Sequence, residues 1–203
     1  QINPHFLSNI LNTVSYIASL KKEDNIVNLV NSIVNLLNGC MKNNNSQITV
    51  EEEISLLKSY ITMQEYRLFG RFSVEFSIEP SVMSCLIPRF LLQPILENAL
   101  IHGIEPSGKK GLIVIKGYKK DDTLCFSITD NGVGMSQEQI DLLLMSDNHS
   151  QRSRLTGIGI ANTRDRIKML FGPEYDLEIN SVKGVFTTVN IRLPFVIGNE
   201  GGI

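Results

Sequence analysis

The segment LLQPILENALIHG, residues 91–103, combines an apolar helix face with polar side chains at helical spacing. Asn98 and His102 are four residues apart and therefore share one side of a predicted helix, which Gly103 ends. Glu97 is adjacent to Asn98, and a carboxylate beside a carboxamide suits a hydrated Mg²⁺. By itself, the segment also fits a polar surface stripe on a core helix.

A second segment, SITDNGVGM at residues 127–135, predicts a strand that ends at Asp130 and a turn that contains Gly132 and Gly134. An ionised aspartate can accept a hydrogen bond from an exocyclic amine, which adenine carries. Glycine lets the backbone turn sharply and approach a flat ligand closely. The alternative is a glycine-rich turn without a ligand. A calcium loop is disfavoured because its glutamate is not at the required spacing.

A third segment, TGIGIANTRDRI at residues 156–167, places Gly157 and Gly159 at the start of an amphipathic helix, where N–H groups and the helix dipole suit phosphate. It is not a P-loop, because no GK[ST] follows, and it lacks the third glycine of a dinucleotide fingerprint. Before it, the polar stretch SDNHSQRSR at 146–154 has no packing pattern, which predicts a mobile lid. His149, in that stretch, is interpreted as solvated rather than catalytic.

Alternating apolar residues in RFSVEFSIEP, residues 71–80, predict a strand. Further strands are predicted in GLIVIKGYK, TLCFSITD, DLEINS and TTVNIRLP, with helices interleaved at about 89–102, 136–146 and 159–171. We therefore predict a mixed α+β domain over residues 73–197 and a flexible tail at 198–203.

Residues 1–72 are predicted to form a helical region. From PHFLSNILN onward, apolar residues recur at helical spacing, while His5 and Ser8 fall on the opposite side of the same helix. A second helix is predicted from about residue 23 to residue 41. Thr49 and Glu52 have the spacing of a capping box and predict the start of a third helix.

The composition excludes several classes of protein. The 203 residues carry a formal net charge of −2, which gives no general attraction to nucleic acid or anionic membranes. Cys40, Cys85 and Cys125 form no CxxC pair, so neither a disulfide framework nor a zinc site is expected. No apolar run has the length of a membrane helix. Because Gln1 begins a patterned segment, we expect the chain to be a fragment of a longer protein.

The order of these motifs resembles the N, G1 and G2 boxes of the GHKL ATPase fold, which gyrase, MutL and sensor histidine kinases share. PHFLSNILN together with LLQPILENALIHG resembles the LytS/YesM-like histidine kinases in particular. The resemblance covers nearly the whole chain. It implies an N-terminal dimerisation and phosphoacceptor region, followed by a two-layer α/β-sandwich domain that binds ATP and Mg²⁺.

The resemblance also implies a role for individual residues. His5 matches the phosphorylated histidine, Asn98 the magnesium-binding asparagine and Asp130 the adenine-binding aspartate. The other nucleotide-binding positions that it implies are His102, Gly132, Gly134, Gly157, Gly159, Ile160, Asn162 and Thr188. An imidazole attacks phosphorus in its neutral form, and histidine is largely neutral near pH 7. Glu97 is a candidate to orient His5, although phosphoryl transfer depends chiefly on positioning and charge neutralisation.

The implied activity is ATP-dependent autophosphorylation on His5 and transfer to an aspartate of a response regulator. The implied assembly is a homodimer without nucleic acid, on the cytoplasmic face of the cell membrane, with the full-length protein anchored by segments upstream of this chain.

Two departures from the family pattern leave a second function open. Ser8 stands where relatives have phenylalanine, and Ile101 stands where they usually have a lysine that reaches phosphate, which predicts weaker nucleotide binding. These departures favour a nucleotide-gated interaction module that binds ATP without efficient phosphoryl transfer. An ATP-driven clamp like gyrase is disfavoured, because its catalytic glutamate would stand at Pro94.

Overall fold

A computed structural model of the chain describes residues 4–41, 46–144 and 158–198. The N-terminal part is a hairpin of two helices, α1 (Pro4–Leu20) and α2 (Asp24–Met41). The turn between them has Lys22 at a φ of 58°, and the Glu23 N–H donates to the Ala18 carbonyl at 3.0 Å. This pattern of a left-handed residue and a six-to-one hydrogen bond ends α1 and lets α2 fold back against it.

The predicted capping box is confirmed at the start of α3 (Val50–Arg67). The Glu52 N–H donates to Thr49 Oγ1 at 3.2 Å, and the Thr49 N–H donates to a Glu52 carboxylate oxygen at 3.0 Å. These two bonds satisfy backbone donors that would otherwise lack partners in the first turn. The short strand β1 (Gln47–Thr49), which precedes α3, pairs with β3 (Leu86–Pro88) in a two-stranded antiparallel sheet.

All five predicted strands are present and form one sheet in the order β2–β4–β5–β7–β6. The parallel pair is β2–β4, and the other neighbours are antiparallel. The strands are β2 (Phe72–Ile78), β4 (Gly111–Lys120), β5 (Thr123–Asp130), β6 (Leu177–Val182) and β7 (Phe186–Pro194).

Helices cover one face of this sheet. They are α3, α4 (Gln93–Asn98) with a π-helical continuation (Ala99–Ile104), and α6 (Ile158–Phe171), while α5 (Gln137–Leu144) follows the turn after β5. The predicted α+β class with a two-layer sandwich is therefore confirmed. Since Gly103 lies inside the π-helical turns, the prediction that it ends the helix was wrong.

One hydrophobic core joins the sheet to its helices, and α3 belongs to it. Leu57 of α3, Leu96 of α4 and Ile167 of α6 are at most 1% exposed and lie in the same cluster as the strand residues. The boundary between the two regions at residue 72 stays a prediction. Helix α3 lies before that boundary but packs with the domain that follows it.

The apolar stripe of α1 is not buried by the hairpin. Phe6 is 60% exposed, Ile10 is 43% exposed and Ile17 is 49% exposed, whereas Ser8 and Ala18 are buried. Helix α1 packs against α2 with the face that carries Ser8, Leu11, Ser15 and Ala18, and its other large apolar side chains face away. In the described ranges, no helix combines the length and apolar character needed to cross a bilayer.

The hydroxyl of Ser8 is buried without a hydrogen-bond partner among the described residues. A buried polar group without a partner costs free energy, so we expect Ser8→Ala to raise the free energy of unfolding by roughly 1 kcal/mol beyond the gain in helix propensity. Ser19→Ala, at an exposed position of the same helix, controls for that propensity. If urea denaturation gives both variants the same change in the free energy of unfolding, the expected cost of the buried Ser8 hydroxyl is contradicted.

Candidate functional site

Asp130, the last residue of β5, is a buried carboxylate at the edge of the sheet. Its side chain is 4% exposed, and Oδ1 accepts a hydrogen bond from the Gly132 N–H at 2.9 Å. Burial raises the pKa of Asp130 to about 6, and the bond from Gly132 opposes this rise. Within the described ranges, the Gly132 N–H is the donor to the Asp130 carboxylate, and it binds Oδ1. Asp130 Oδ2 can therefore accept a hydrogen bond from a ligand amine.

The backbone of Gly103 lies directly against Asp130 and the turn that follows it. A Cβ on Gly132 would lie 2.3 Å from the Gly103 carbonyl carbon, and a Cβ on Gly103 would lie 2.6 Å from Asp130 Oδ1. The Val133 N–H also donates to the Gly103 carbonyl at 3.0 Å. The two glycines therefore bring the helix that contains Asn98 into contact with the end of β5.

Gly134 makes a second close backbone contact in the same turn. Its φ is +61°, and a Cβ there would lie 2.2 Å from the Val182 carbonyl oxygen. The Gly184 N–H, between β6 and β7, donates to the Val133 carbonyl. The sequence pattern predicts that these glycines approach a ligand, whereas the contacts that the structure gives them are with other backbone segments.

Asn98 is the last residue of α4 and is half-buried. Its side chain makes no hydrogen bond to another residue of the described ranges, so its amide oxygen is available to a ligand or a cation. Glu97 accepts a hydrogen bond from Gln93 Nε2 at 2.9 Å. His102 lies one turn later in the π-helical segment, where hydrogen bonds run from i to i+5. Single π-helical turns of this kind are frequent at functional sites.

Helix α6 crosses the first turn of α4. A Cβ on Gly159 would lie 3.1 Å from Pro94 Cβ, which explains why the helices can approach here. Asn162 is exposed one turn later, whereas Ile160 is 0% exposed and packs in the core. Gly157, His149 and the predicted lid at 146–154 lie outside the described residues. The helix that carries the third motif is thus adjacent to the helix that carries Asn98.

The position of α6 is stabilised by Asp176, which sequence reasoning missed because its partners have no local spacing. Arg164 donates to both Asp176 carboxylate oxygens, at 2.7 and 3.0 Å, and Lys168 Nζ lies 3.0 Å from Oδ2. Burial alone would raise the pKa of Asp176, but the bonds from Arg164, Lys168 and the Leu177 N–H lower it to about 2. The carboxylate is therefore ionised at neutral pH and connects α6 to the start of β6.

The strand register favours Thr187 over the predicted Thr188 as a neighbour of Asp130. Thr187 is the cross-strand partner of Asp130 and is 4% exposed, so both side chains lie on the helix-covered face. Thr188 pairs with Thr129 on the opposite face, where their hydroxyl oxygens are 2.9 Å apart. Sequence reasoning missed Thr187 because two adjacent threonines carry no signal for which face each occupies.

His5 is separate from the Asp130 and Asn98 region. It is exposed on the first turn of α1, and its Nδ1 lies 3.4 Å from Asn9 Nδ2. Helix α1 packs on α2, and α2 packs on α3. The structure therefore brings Asp130, Gly103, Asn98 and the start of α6 together, and it presents His5 on a different element.

The raised pKa of Asp130 predicts how Asp130→Asn changes stability with pH. Because the folded-state pKa of about 6 exceeds the ordinary value of 3.8, ionisation between these values destabilises the folded wild type as pH rises. The carboxamide of the variant keeps the Gly132 bond without a charge. We expect the variant to have the higher free energy of unfolding at pH 8, by about 3 kcal/mol at most, and the difference to shrink towards pH 4.

Chemical denaturation without nucleotide at both pH values measures this difference. Asp122→Asn, at an exposed position, provides the matched control. A variant that is less stable than the wild type at pH 8 would contradict a raised pKa at Asp130.

Two protein-family models match the chain. The model described as "Histidine kinase" matches residues 1–72, and the model described as "Histidine kinase-, DNA gyrase B-, and HSP90-like ATPase" matches residues 87–197. Among curated proteins, sensor histidine kinase YesM of Bacillus subtilis is 33% identical over 96% of this chain and 32% of its own length. Sensor protein LytS of Staphylococcus saprophyticus is 32% identical over 89% of this chain and 30% of its own length. The chain thus spans about a third of these relatives.

Solved structures have the same fold at lower sequence identity. The histidine kinase domain of the blue-light activated histidine kinase EL346 from Erythrobacter litoralis has a TM-score of 0.55 and 14% identity, covering 95% of this chain and 94% of that one. The catalytic domain of histidine kinase ThkA has a TM-score of 0.55 and 15% identity, covering 75% of this chain and 97% of that one.

Proposed function

We propose that this chain, which belongs to the histidine kinase-, DNA gyrase B- and HSP90-like ATPases and among them to the LytS/YesM-like sensor histidine kinases, phosphorylates itself on His5 with ATP. It then passes the phosphoryl group to an aspartate of a response regulator. Family membership makes residues 87–197 an ATP-binding domain. The observation that carries the proposal is the buried Asp130 carboxylate in contact with the helix of Asn98.

The donor atoms suit a nucleotide with its cation. Asp130 accepts a hydrogen bond from the adenine amine through the oxygen that Gly132 leaves available, and Thr187 lies beside it on the same face. In the described ranges no group of three or more His, Cys, Asp or Glu side chains could hold a metal. A cation bound mainly by phosphates and water, with one amide oxygen from Asn98, fits Mg²⁺. Gly159, in the first turn of α6, contacts the phosphates, and Gly157, which lies outside the described residues, has the same role by the resemblance.

His5 is the nucleophile of the reaction. A ring nitrogen forms a bond to the γ-phosphorus while the bond between that phosphorus and the ADP oxygen breaks. The amide of Asn9 can present either its NH₂ or its oxygen to Nδ1. With the oxygen towards it, Nδ1 keeps the proton and Nε2 keeps the lone pair that attacks. Glu97, next to Asn98, is the candidate to orient the ring when α1 reaches the ATP-binding domain.

The exposed apolar stripe of α1 supports a homodimer. Its members are spaced at helical intervals and lie 36–67% exposed in the single chain, namely Phe6, Leu7, Ile10, Val14, Ile17 and Leu20. A second copy that covers this stripe removes the apolar surface from water.

We extend the proposal to the whole protein, which by its likeness to LytS and YesM acts at the cytoplasmic face of the cell membrane.

Labelling with γ-³²P-ATP tests the acceptor. We expect acid-labile label on the wild type and at least about a hundredfold less on His5→Gln, because glutamine lacks the nucleophilic nitrogen. Asn12→Gln, an exposed substitution on the same helix, should label like the wild type. Equal labelling of His5→Gln and wild type would exclude His5. Nucleotide binding without any labelling would instead select the interaction module that binds ATP without transfer.

Calorimetry with Mg-ADP tests the nucleotide site independently of transfer. Asp130→Asn places an NH₂ group where the adenine amine needs an acceptor, so we expect affinity to fall about tenfold to a hundredfold. Asp122→Asn should bind like the wild type, because this exposed residue lies in the turn before β5. No heat from the wild type, or unchanged affinity in Asp130→Asn, would contradict the proposed adenine contact.

A further inference from the structure

Residues 89–92, here called the junction segment, lead directly into α4 and contact three other helices. Phe90 within the segment has a φ of 54°, a left-handed conformation that is unfavourable for a phenylalanine. Such a conformation persists only where surrounding contacts determine it. The contacts that do so here come from α3, α6 and α2.

Helix α3 binds the junction segment through Glu53, which is 0% exposed. One carboxylate oxygen accepts from the Phe90 N–H and the other from the Leu92 N–H, each at 2.9 Å. Burial raises the pKa of Glu53 to about 6, while these backbone N–H groups and the charge of Arg166 oppose the rise. A carboxylate that bridges two N–H groups two residues apart holds the left-handed backbone of Phe90 between them.

Helices α6 and α2 contact the segment through Arg89. Arg166 of α6 donates to the Arg89 carbonyl at 2.8 Å, and Arg89 Nη1 donates to the Gly39 carbonyl of α2 at 2.6 Å. Gly39 lies in the last turn of α2, where carbonyl groups have no partner within the helix and a cation is favourable. The side chain of Arg89 therefore connects the helical hairpin to the segment from which α4 starts and to which α6 binds.

We propose that Arg89 is a positioning residue, which sets the orientation of the hairpin that carries His5 relative to the two helices of the nucleotide site. This inference rests on the proposed function. The planar guanidinium reaches Gly39 while the Arg89 backbone is held by Arg166, so a short polar connection runs from the hairpin to the nucleotide helices, in addition to the packing of α2 on α3. Because small displacements of the reacting groups slow transfer strongly, the connection acts on the rate of transfer rather than on ATP affinity.

Steady-state autophosphorylation of Arg89→Met tests the proposal. We expect kcat to fall about tenfold or more while KM for ATP stays within about twofold, since Met cannot donate to Gly39 but leaves the Arg89 carbonyl in place. Arg89→Lys, which retains a donor that can reach Gly39, should keep kcat within about threefold of the wild type. Unchanged kcat in Arg89→Met, a parallel loss of ATP affinity, or Arg89→Lys as slow as Arg89→Met would overturn the proposal.

Ser59→Ala provides the matched control. It removes the 2.7 Å hydrogen bond from Asn35 Nδ2 of α2 to Ser59 Oγ of α3, which connects the hairpin to α3 without contacting the junction segment. We expect its kcat to match the wild type. A loss equal to that of Arg89→Met would mean that hairpin packing in general, not Arg89, governs transfer.

Hydrogen exchange with Mg-ADP gives a readout that needs no transfer. Saturating Mg-ADP should slow amide exchange at residues 36–40 of wild-type α2 by about fivefold, and Arg89→Met should lose this response while keeping protection at residues 95–102. No response at 36–40 in the wild type overturns the inference. If the wild type takes up no label from γ-³²P-ATP but Mg-ADP still slows exchange at residues 36–40, only the proposed function is contradicted. The failure of the proposed function and the failure of this inference are therefore distinguishable.

Discussion

The carboxylate of Asp130 lies at the end of β5 against the backbone of Gly103, and this contact defines the geometry of the site. It requires that neither Gly103 nor Gly132 carry a Cβ, because an added carbon would overlap the facing backbone or the carboxylate itself. The same close approach buries the carboxylate and raises its pKa. Packing and ligand chemistry are thus coupled: the contact that attaches the Asn98 helix to the sheet also prepares an acceptor for an adenine amine.

The helical hairpin and the sandwich domain are built on different principles. The sandwich buries its apolar residues in one core that includes α3, whereas the hairpin leaves its largest apolar side chains exposed. A surface of that kind is typical of an interface with another chain. Helix α2 joins the two parts by packing on α3, where Leu36 lies against the sandwich core, and the Arg89–Gly39 hydrogen bond adds a polar connection to the segment before α4.

Much of the fold could be predicted from local pattern. The capping box of Thr49 and Glu52 involves residues three apart, β2 alternates in hydrophobicity, and β4 and β5 contain short apolar runs, so these signals are contained in short windows of sequence. The strands β1 and β3 were missed because three residues are too few to show alternation. The π-helical turns after Asn98 were missed because their residues have ordinary helical patterning.

The family of the chain could be read from the sequence alone, because the order and spacing of the His5, Asn98, Asp130 and Gly157 segments resemble those of a histidine kinase core. Only the tertiary structure decided which neighbours complete that chemistry. Thr187 rather than Thr188 shares the face of Asp130, Ile160 packs in the core, and Glu53 binds a backbone segment 37 residues away in sequence. These relations depend on strand register and on contacts between distant segments, and neither leaves a periodic signal in the chain.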